Sequence, residues 1–180
     1  CARPRRRAPP RREGCRRQVE ANREQLARAK AGGLRGLAYD PEWIEGDGED
    51  IVELYREALR RKQLAFRQAD FICTCPPYFD LEVYDGGAND LSMLPSYDAF
   101  LVKYSRVIKE AAKLLRPTQL AAFVVGNVRD KNGITHSMLA DTISAFKSAG
   151  CNPLNTGVLL TALATAPQRA GRQMAATSKW

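Results

Sequence analysis

The chain has 180 residues, 44% of them hydrophobic, which is enough for one folded domain with a single core. No apolar run approaches the about 20 residues that cross a bilayer, and the first residues do not have signal-peptide character, so we expect no membrane partner and a cytoplasmic location. Five cysteines without regular spacing and a single histidine predict neither a disulfide framework nor a metal site.

The net charge of +8 belongs to one end of the chain. Residues 1–30 hold eleven Arg and Lys against three Glu, whereas basic and acidic residues balance from residue 31 onward. Residues 1–17, with eight arginines and three prolines, are predicted to form a disordered basic arm before a domain over 18–180. Such an arm can bind nucleic acid or be simply solvated, and the charge does not imply a basic face on the domain itself.

The first elements of the predicted domain alternate between helix and strand patterns. A helix is predicted over Gln18–Lys30 and ends at Gly32-Gly33. A short strand follows over Trp43–Asp47, and Asp50 is a candidate cap for the next helix. The next strand is Asp70–Thr74, which must end by Cys75 because prolines cannot donate to a sheet ladder.

The alternation continues in the second half. Ser96 is a candidate N-cap for a helix that reaches about Leu115, with an apolar face that belongs to the core, and Pro117 stops it. The remaining predicted elements are a buried strand over Leu120–Val125, a helix over His136–Ala149 that ends at Gly150, and a strand over Val158–Leu163. This order predicts an α/β fold with a doubly wound sheet, which is incomplete because only four strands are found.

The segment from Asp70 to Asp80 is the best candidate for an active site. A strand ends in Cys75-Pro76-Pro77-Tyr78, a stiff loop at the carboxyl end of a strand, where open α/β sheets bind their ligands. A long polar connection, Asp80–Pro95, follows it, and loops of this length are often binding loops. A purely structural alternative is that Pro-Pro-Tyr ends the strand and packs its ring into the core.

The Cys75–Tyr78 turn resembles the catalytic motif of S-adenosylmethionine-dependent amino-methyltransferases. The likeness extends to an ordered series of segments that resembles the phage-type site-specific DNA methyltransferases of the N6-adenine or N4-cytosine class. These segments are Asp70–Tyr84, Asn89–Ser92, the Ser96 helix, Phe123–Asp130 and Arg169–Gln173. The resemblance implies a Rossmann-like class I methyltransferase sheet, S-adenosylmethionine as cofactor, DNA as partner, and the cytoplasm of a bacterial or phage-infected cell.

The resemblance also implies roles for the turn residues. Cys75, Pro76, Pro77 and Tyr78 would be catalytic, with the Pro76 carbonyl accepting from the exocyclic amine of a flipped base and the Tyr78 ring stacking on that base. Cys75 would also border the cofactor, although a thiol accepts hydrogen bonds only weakly. Cys75 as a covalent nucleophile, as in cytosine C5-methyltransferases, is an alternative without an identified activating partner.

Further positions are implied as binding residues. Asp47, beside Gly46, would contact the cofactor adenine, and Phe79, Asn127, Arg169 and Arg172 would contact the substrate. All of these except Phe79 have a structural alternative: Gly46-Asp47 as a helix-start turn, Asn127 as a strand-to-helix turn, and the arginines as exposed side chains. His136, at the start of a predicted helix, is expected to be a capping or surface residue.

One expected feature is missing from the sequence. The glycine-rich cofactor loop, roughly Phe-x-Gly-x-Gly, occurs nowhere in the 180 residues. The resemblance therefore implies a methyltransferase domain whose first strands are cut off or replaced and whose last part stops early. Two other functions stay open: an inactive fragment or nucleic-acid-binding remnant, and an RNA or protein-glutamine methyltransferase with a related turn.

Overall fold

The computed structural model describes residues 13–36, 41–81 and 89–160, with side chains from Gln18 onward. The described part has a mixed α/β structure with four helices: α1 (Glu13–Ala31), α2 (Ile51–Arg61), α3 (Tyr97–Leu114) and α4 (Met138–Ser148). Two short 3₁₀ turns, Gly48–Asp50 and Leu91–Met93, precede α2 and α3. None of these helices combines the length and apolarity that crossing a bilayer requires.

The described strands form two small sheets. Strands β1 (Ala69–Thr74) and β2 (Leu115–Phe123) pair in parallel, and β3 (Val128–Arg129) and β4 (Thr135–His136) form an antiparallel hairpin. Helix α3 lies between β1 and β2 in sequence, as a parallel pair requires. The mixed α/β prediction is therefore confirmed, while the described residues do not contain a four-stranded sheet.

Two predicted strands are wrong within the described residues. Residues 43–47 have no strand structure; the chain runs irregularly into the 3₁₀ turn, where the Asp47 carboxylate accepts from the Glu49 N–H at 3.0 Å. Residues 158–160 also lie outside any strand, with 74–86% of each residue's surface exposed, and residues 161–163 of that prediction lie outside the described part. An apolar β-branched pattern favours a strand only where a neighbouring strand accepts its hydrogen bonds.

Some helix boundaries follow the sequence signals and others do not: α1 begins at Glu13, five residues before the predicted Gln18 and within the segment predicted to be a disordered arm. The Ser96 hydroxyl accepts from Ala99 N–H at 3.2 Å, so the predicted N-cap is confirmed, and Gly150 leaves α4 with a φ of +85°. Asp50 stands at the N-cap of α2 but makes no side-chain cap bond. His136 does not begin a helix; it lies in β4, two residues before α4.

The start of β2 explains why the helix stops one residue earlier than predicted. Pro117 disfavours helical geometry at the preceding residue, and the chain is already extended at Leu115. Pro117 lies within β2 and Thr118 adopts a φ of +67°, so the pairing jumps from Ala69 opposite Leu115 to Phe71 opposite Leu120. An irregularity is expected here because proline has no N–H for the ladder.

The core lies between α3 and the elements around it. Phe100, Tyr104 and Ile108 are at most 1% exposed, which confirms the predicted apolar face of α3. Burial raises the pKa of Tyr104 to about 12, and its hydroxyl lies 3.1 Å from that of Thr142 on α4. One face of the parallel pair contacts α4 through Phe123 and Phe146, with ring centroids 4.8 Å apart.

The other face of the parallel pair is exposed within the described residues. Phe71 and Leu120 are register partners, and 55% and 51% of their surfaces are accessible. In an α/β protein both faces of a parallel sheet are normally covered. Within the described residues, only one face of the β1–β2 pair is covered. The carboxyl end of β1 leads into the predicted Pro-Pro-Tyr turn.

Candidate functional site

The carboxyl edge of the parallel pair brings the two main predicted site segments together. Beyond their last paired residues, Thr74 C=O accepts from Val124 N–H at 3.0 Å, so the chain segments after β1 and β2 leave the sheet side by side. The Cys75–Tyr78 turn follows β1, and Gly126-Asn127 follows β2. Parallel strands place their carboxyl ends at one edge, which is why segments about fifty residues apart in sequence meet here.

Tyr78 joins the two segments directly. Its hydroxyl donates to the Val124 carbonyl at 3.0 Å, and a Cβ built on Gly126 would lie 3.7 Å from Tyr78 Cε1. The same hydroxyl lies 3.6 Å from Cys75 Sγ, and the Cys75 side chain is exposed. The Tyr78 side chain therefore bridges the segments that follow β1 and β2, and the Cys75 thiol lies beside its hydroxyl group.

The remaining turn residues differ in accessibility. Pro76 is buried and Pro77 half-buried, so the double proline is packed against the protein. Asn127 is exposed, beside the half-buried Gly126. Phe79, predicted to contact substrate, is 5% exposed and belongs to the core cluster with Phe100, so its ring lies inside the protein.

The Asp47 carboxylate already accepts hydrogen bonds from neighbouring groups. Its two carboxylate oxygens lie 2.9 and 3.2 Å from Lys103 Nζ on α3, in addition to the bond from Glu49 N–H. Lys103 also bonds Glu49 at 2.6 Å. The side chains of Asp47 and Lys103 are only 17% and 13% exposed, so this ion-pair cluster is largely shielded from water.

The pKa shifts of Asp47 and Lys103 both favour the charged form of the side chain. Burial alone would raise the pKa of Asp47, but hydrogen bonds from Lys103 and from Glu49 N–H outweigh it, and the pKa lies below its ordinary value. Burial alone would lower the pKa of Lys103, but the bonds to both carboxylates raise it. Asp47 is thus ionised and already paired at neutral pH.

The residues around Asp47 do not fit the adenine contact that the resemblance implies. An adenine amine would have to share carboxylate oxygens that Lys103 and Glu49 N–H already use. A Cβ on Gly46 would collide with Leu54 Cδ1, so the small residue makes room for this half-buried side chain. Arg169 and Arg172 lie outside the described residues.

Several residues of the site were not indicated by sequence reasoning. Lys103 is one of three lysines on α3, and only its position opposite Asp47 distinguishes it. The acceptor for the Tyr78 hydroxyl is a backbone carbonyl, which no residue type can signal. His136 lies beside Asp130 and Tyr97, and the order of residues in sequence does not show this arrangement.

Comparisons with known proteins add no relatives. No protein-family model matches the chain, and neither the curated proteins nor the solved structures contain a significant match.

Proposed function

We propose that the Cys75–Tyr78 turn is the base pocket of an S-adenosylmethionine-dependent DNA amino-methyltransferase, which acts on adenine N6 or cytosine N4. On this proposal the β1–α3–β2 unit is part of a doubly wound, Rossmann-like sheet. The observation that carries the proposal is the bond from the Tyr78 hydroxyl to the Val124 carbonyl. It joins the segments after two adjacent parallel strands, at the edge where α/β sheets bind their ligands.

The proposed role of the turn is to hold a base amine in place. The lone pair of such an amine is delocalised into the ring, so a carbonyl acceptor that orients the NH₂ group supplies much of what the reaction needs. Pro76, packed in the turn, would provide that carbonyl. The Tyr78 ring, fixed at its hydroxyl end, would stack on a base swung out of the helix, at a cost of a few kcal/mol for unstacking.

S-adenosylmethionine would supply the methyl group, but among the described residues the carboxylate that the resemblance assigns to its adenine is already paired. Asp47 is paired with Lys103, and the chain has no glycine-rich loop. This observation favours a second candidate function, a nucleic-acid-binding remnant that retains the base pocket and does not bind the cofactor. Both functions require base binding at Tyr78, and only the first requires methyl transfer.

Base binding is tested with a single-stranded oligonucleotide that carries 2-aminopurine, whose fluorescence is quenched when the base stacks on an aromatic ring. We expect the protein to quench it and Tyr78→Ala to lose at least about 1 kcal/mol of binding, the lower range for one base–aromatic stack. Phe71→Ala is the matched control, because it removes an exposed aromatic ring from β1 without touching the turn. Equal quenching by the protein and by Tyr78→Ala would refute the proposed pocket.

Methyl transfer is tested separately with methyl-labelled S-adenosylmethionine and unmethylated genomic DNA or total RNA. Label in DNA supports the methyltransferase, and nucleoside analysis then distinguishes adenine from cytosine. Label in RNA alone supports the RNA enzyme instead. Base binding without any transfer, together with no calorimetric binding of S-adenosylmethionine, would favour the remnant.

A further inference from the structure

The residue that follows Tyr78 has an unfavourable backbone conformation. Phe79 adopts a φ of +51° at the second position of a turn closed by the bond from Leu81 N–H to Tyr78 C=O at 3.1 Å. Turns with a positive φ at this position favour Gly, Asn or Asp. For an aromatic residue the left-handed region costs about 1–2 kcal/mol, so tertiary contacts must hold Phe79 there.

These contacts come from rings on two other elements. The Phe79 ring meets Tyr97 edge-on with centroids 5.6 Å apart, and it lies 5.7 Å from Phe100, the next core ring of α3. It also meets the His136 ring of β4 edge-on at 6.3 Å. Aromatic pairs in such geometry contribute about 0.5–1.5 kcal/mol each beyond burial, which is the scale of the backbone cost.

His136 is itself fixed in position from two sides. Its ring stacks on Tyr97 with centroids 4.0 Å apart and an interplanar angle of 13°. Its Nε2 lies 3.2 Å from Asp130 Oδ2 across the β3–β4 hairpin. A carboxylate can only accept, so Nε2 is the donor in this pair.

Both partners of His136 are also anchored. The other oxygen of Asp130 accepts from the N–H groups of Asn132 and Ile134, each at 2.9 Å, and the bond from Ile134 N–H is the main reason that the pKa of Asp130 is lowered. The Tyr97 hydroxyl donates to Asp141 Oδ2 on α4 at 2.7 Å. The hairpin, α3 and α4 are thus joined through the stacked rings of Tyr97 and His136, and the Phe79 ring meets both rings edge-on.

We propose that His136 and Asp130 are positioning residues for the base pocket: they hold the strained Phe79, and through it set the place of the Tyr78 ring. The functional part of this inference rests on the proposed function, whereas the mechanical part concerns only the turn. We call the three rings of Phe79, Tyr97 and His136 the brace. A residue that only stabilised the fold would lower stability without changing the turn in the folded protein.

The turn carries its own reporter. Cys75 Sγ lies 3.6 Å from the Tyr78 hydroxyl, and Cys73, two residues earlier in β1, is also exposed. Labelling with iodoacetamide, read by tandem mass spectrometry, gives the rate at each thiol in the same folded molecule. The ratio of the Cys75 rate to the Cys73 rate reports on Tyr78 and cancels any change in global stability.

His136→Ala removes both the stack and the bond to Asp130, and we expect it to raise this ratio about threefold or more by opening the turn locally. His136→Phe keeps a ring on Tyr97 and is expected to restore most of the ratio. Asp130→Asn keeps the side-chain oxygen for the loop N–H groups and removes the carboxylate from His136, so an intermediate ratio is expected. Thr135→Val, on an exposed residue of the same strand, is the control and should leave the ratio unchanged.

The outcomes separate the brace from the proposed function. An unchanged ratio in His136→Ala and Asp130→Asn, with circular dichroism of a folded protein, overturns the brace. Should His136→Ala fail to fold, the comparison of His136→Phe and Asp130→Asn with Thr135→Val decides in its place. A changed ratio in a protein that never quenches 2-aminopurine supports the brace and refutes base binding. Quenching that weakens in parallel with the ratio supports both.

Discussion

The two places where ligand contacts were predicted, the Cys75–Tyr78 turn and Gly46-Asp47, are built by opposite means. In the turn, the Tyr78 hydroxyl bonds the Val124 carbonyl, the neighbouring Phe79 ring packs on core rings, and the Cys75 thiol is exposed. Asp47 is held by a shielded ion pair to Lys103 and by the Glu49 N–H. A polar residue after an apolar segment therefore does not become a ligand contact by position alone; the neighbouring element decides whether its atoms stay available.

Helix α3 contributes side chains that contact both the Cys75–Tyr78 turn and the Asp47 loop. Phe100 contacts Phe79 beside the turn, and Lys103, one helical turn later, closes over Asp47. The turn is therefore positioned by apolar packing and the Asp47 loop by charge. Apolar packing and ion pairs respond differently to substitution and to pH, so the difference between the turn and the Asp47 loop can be tested.

Replacing Lys103 with Met should have the largest effect. It leaves the Asp47 carboxylate, 17% exposed, without its cation, and we expect a loss of about 2 kcal/mol in the free energy of unfolding, measured by urea denaturation. Arg60→Met is the matched control: the Arg60–Glu53 pair is as close, at 2.7 Å, but both side chains are more than 60% exposed, so almost no change is expected. Equal losses in the two variants would contradict a special role for the shielded pair.

The contribution of the Asp47–Lys103 pair to the free energy of unfolding should fall at both acid and alkaline pH. The pKa of Asp47 is lowered by folding, so its contribution is complete above its unfolded value of about 3.9 and is lost as pH falls through the folded value. The pKa of Lys103 is raised, so its contribution is complete below about 10.4 and is lost as pH rises through the folded value.

The difference in unfolding free energy between the protein and Lys103→Met should therefore be constant from about pH 5 to pH 9 and narrow by about 1–2 kcal/mol at the acid end. Urea denaturation of both proteins in matched buffers measures it. A difference that stayed flat down to pH 3 would show that the loss in the variant comes from packing of the lysine stem and not from its charge.

The smallest expected effects on stability come from replacing the glycine at each of the two places, Gly46 and Gly126, with alanine. Gly46→Ala places a Cβ 2.2 Å from Leu54 Cδ1, so that side chain must move, and we expect a loss of about 1 kcal/mol. Gly126→Ala meets Tyr78 Cε1 at an ordinary 3.7 Å, and a change within about 0.5 kcal/mol is expected. Thermal denaturation of both variants makes the measurement, and a larger loss at Gly126 would mean that the turn is the tighter of the two places.

Local signals explain most of what could be predicted of the fold. The capping hydroxyl of Ser96, the buried face of α3, Gly150 and the strand before Pro76 were all predicted, because each depends on residues close in sequence. The strand predicted over residues 43–47 is absent from the structure, because a segment forms a strand only with a partner that can lie far away in sequence. His136 was placed in a helix for the same reason: its actual partner in the ladder, Val128, is eight residues earlier.

The candidate site divides in the same way. The proximity of the Pro-Pro-Tyr turn to Gly126 could be expected, since parallel strands end at one edge. The pairing of Asp47 with Lys103, 56 residues apart, and the burial of Phe79 in a left-handed turn could not, because both depend on which side chains of α3 face the loop.

The sequence by itself determined most of the helices, the mixed α/β character, the end of β1 at the double proline and the stretch that we propose as a base pocket. The tertiary structure alone decided which polar groups remain available: Asp47 is closed by a lysine, while the Tyr78 hydroxyl bridges two strand ends and Cys75 stays exposed. The physical reason is the sequence separation over which each kind of interaction acts. Caps, helix faces and proline stops act within a few residues, whereas ion pairs and ring stacks form between segments that only the folded chain brings together.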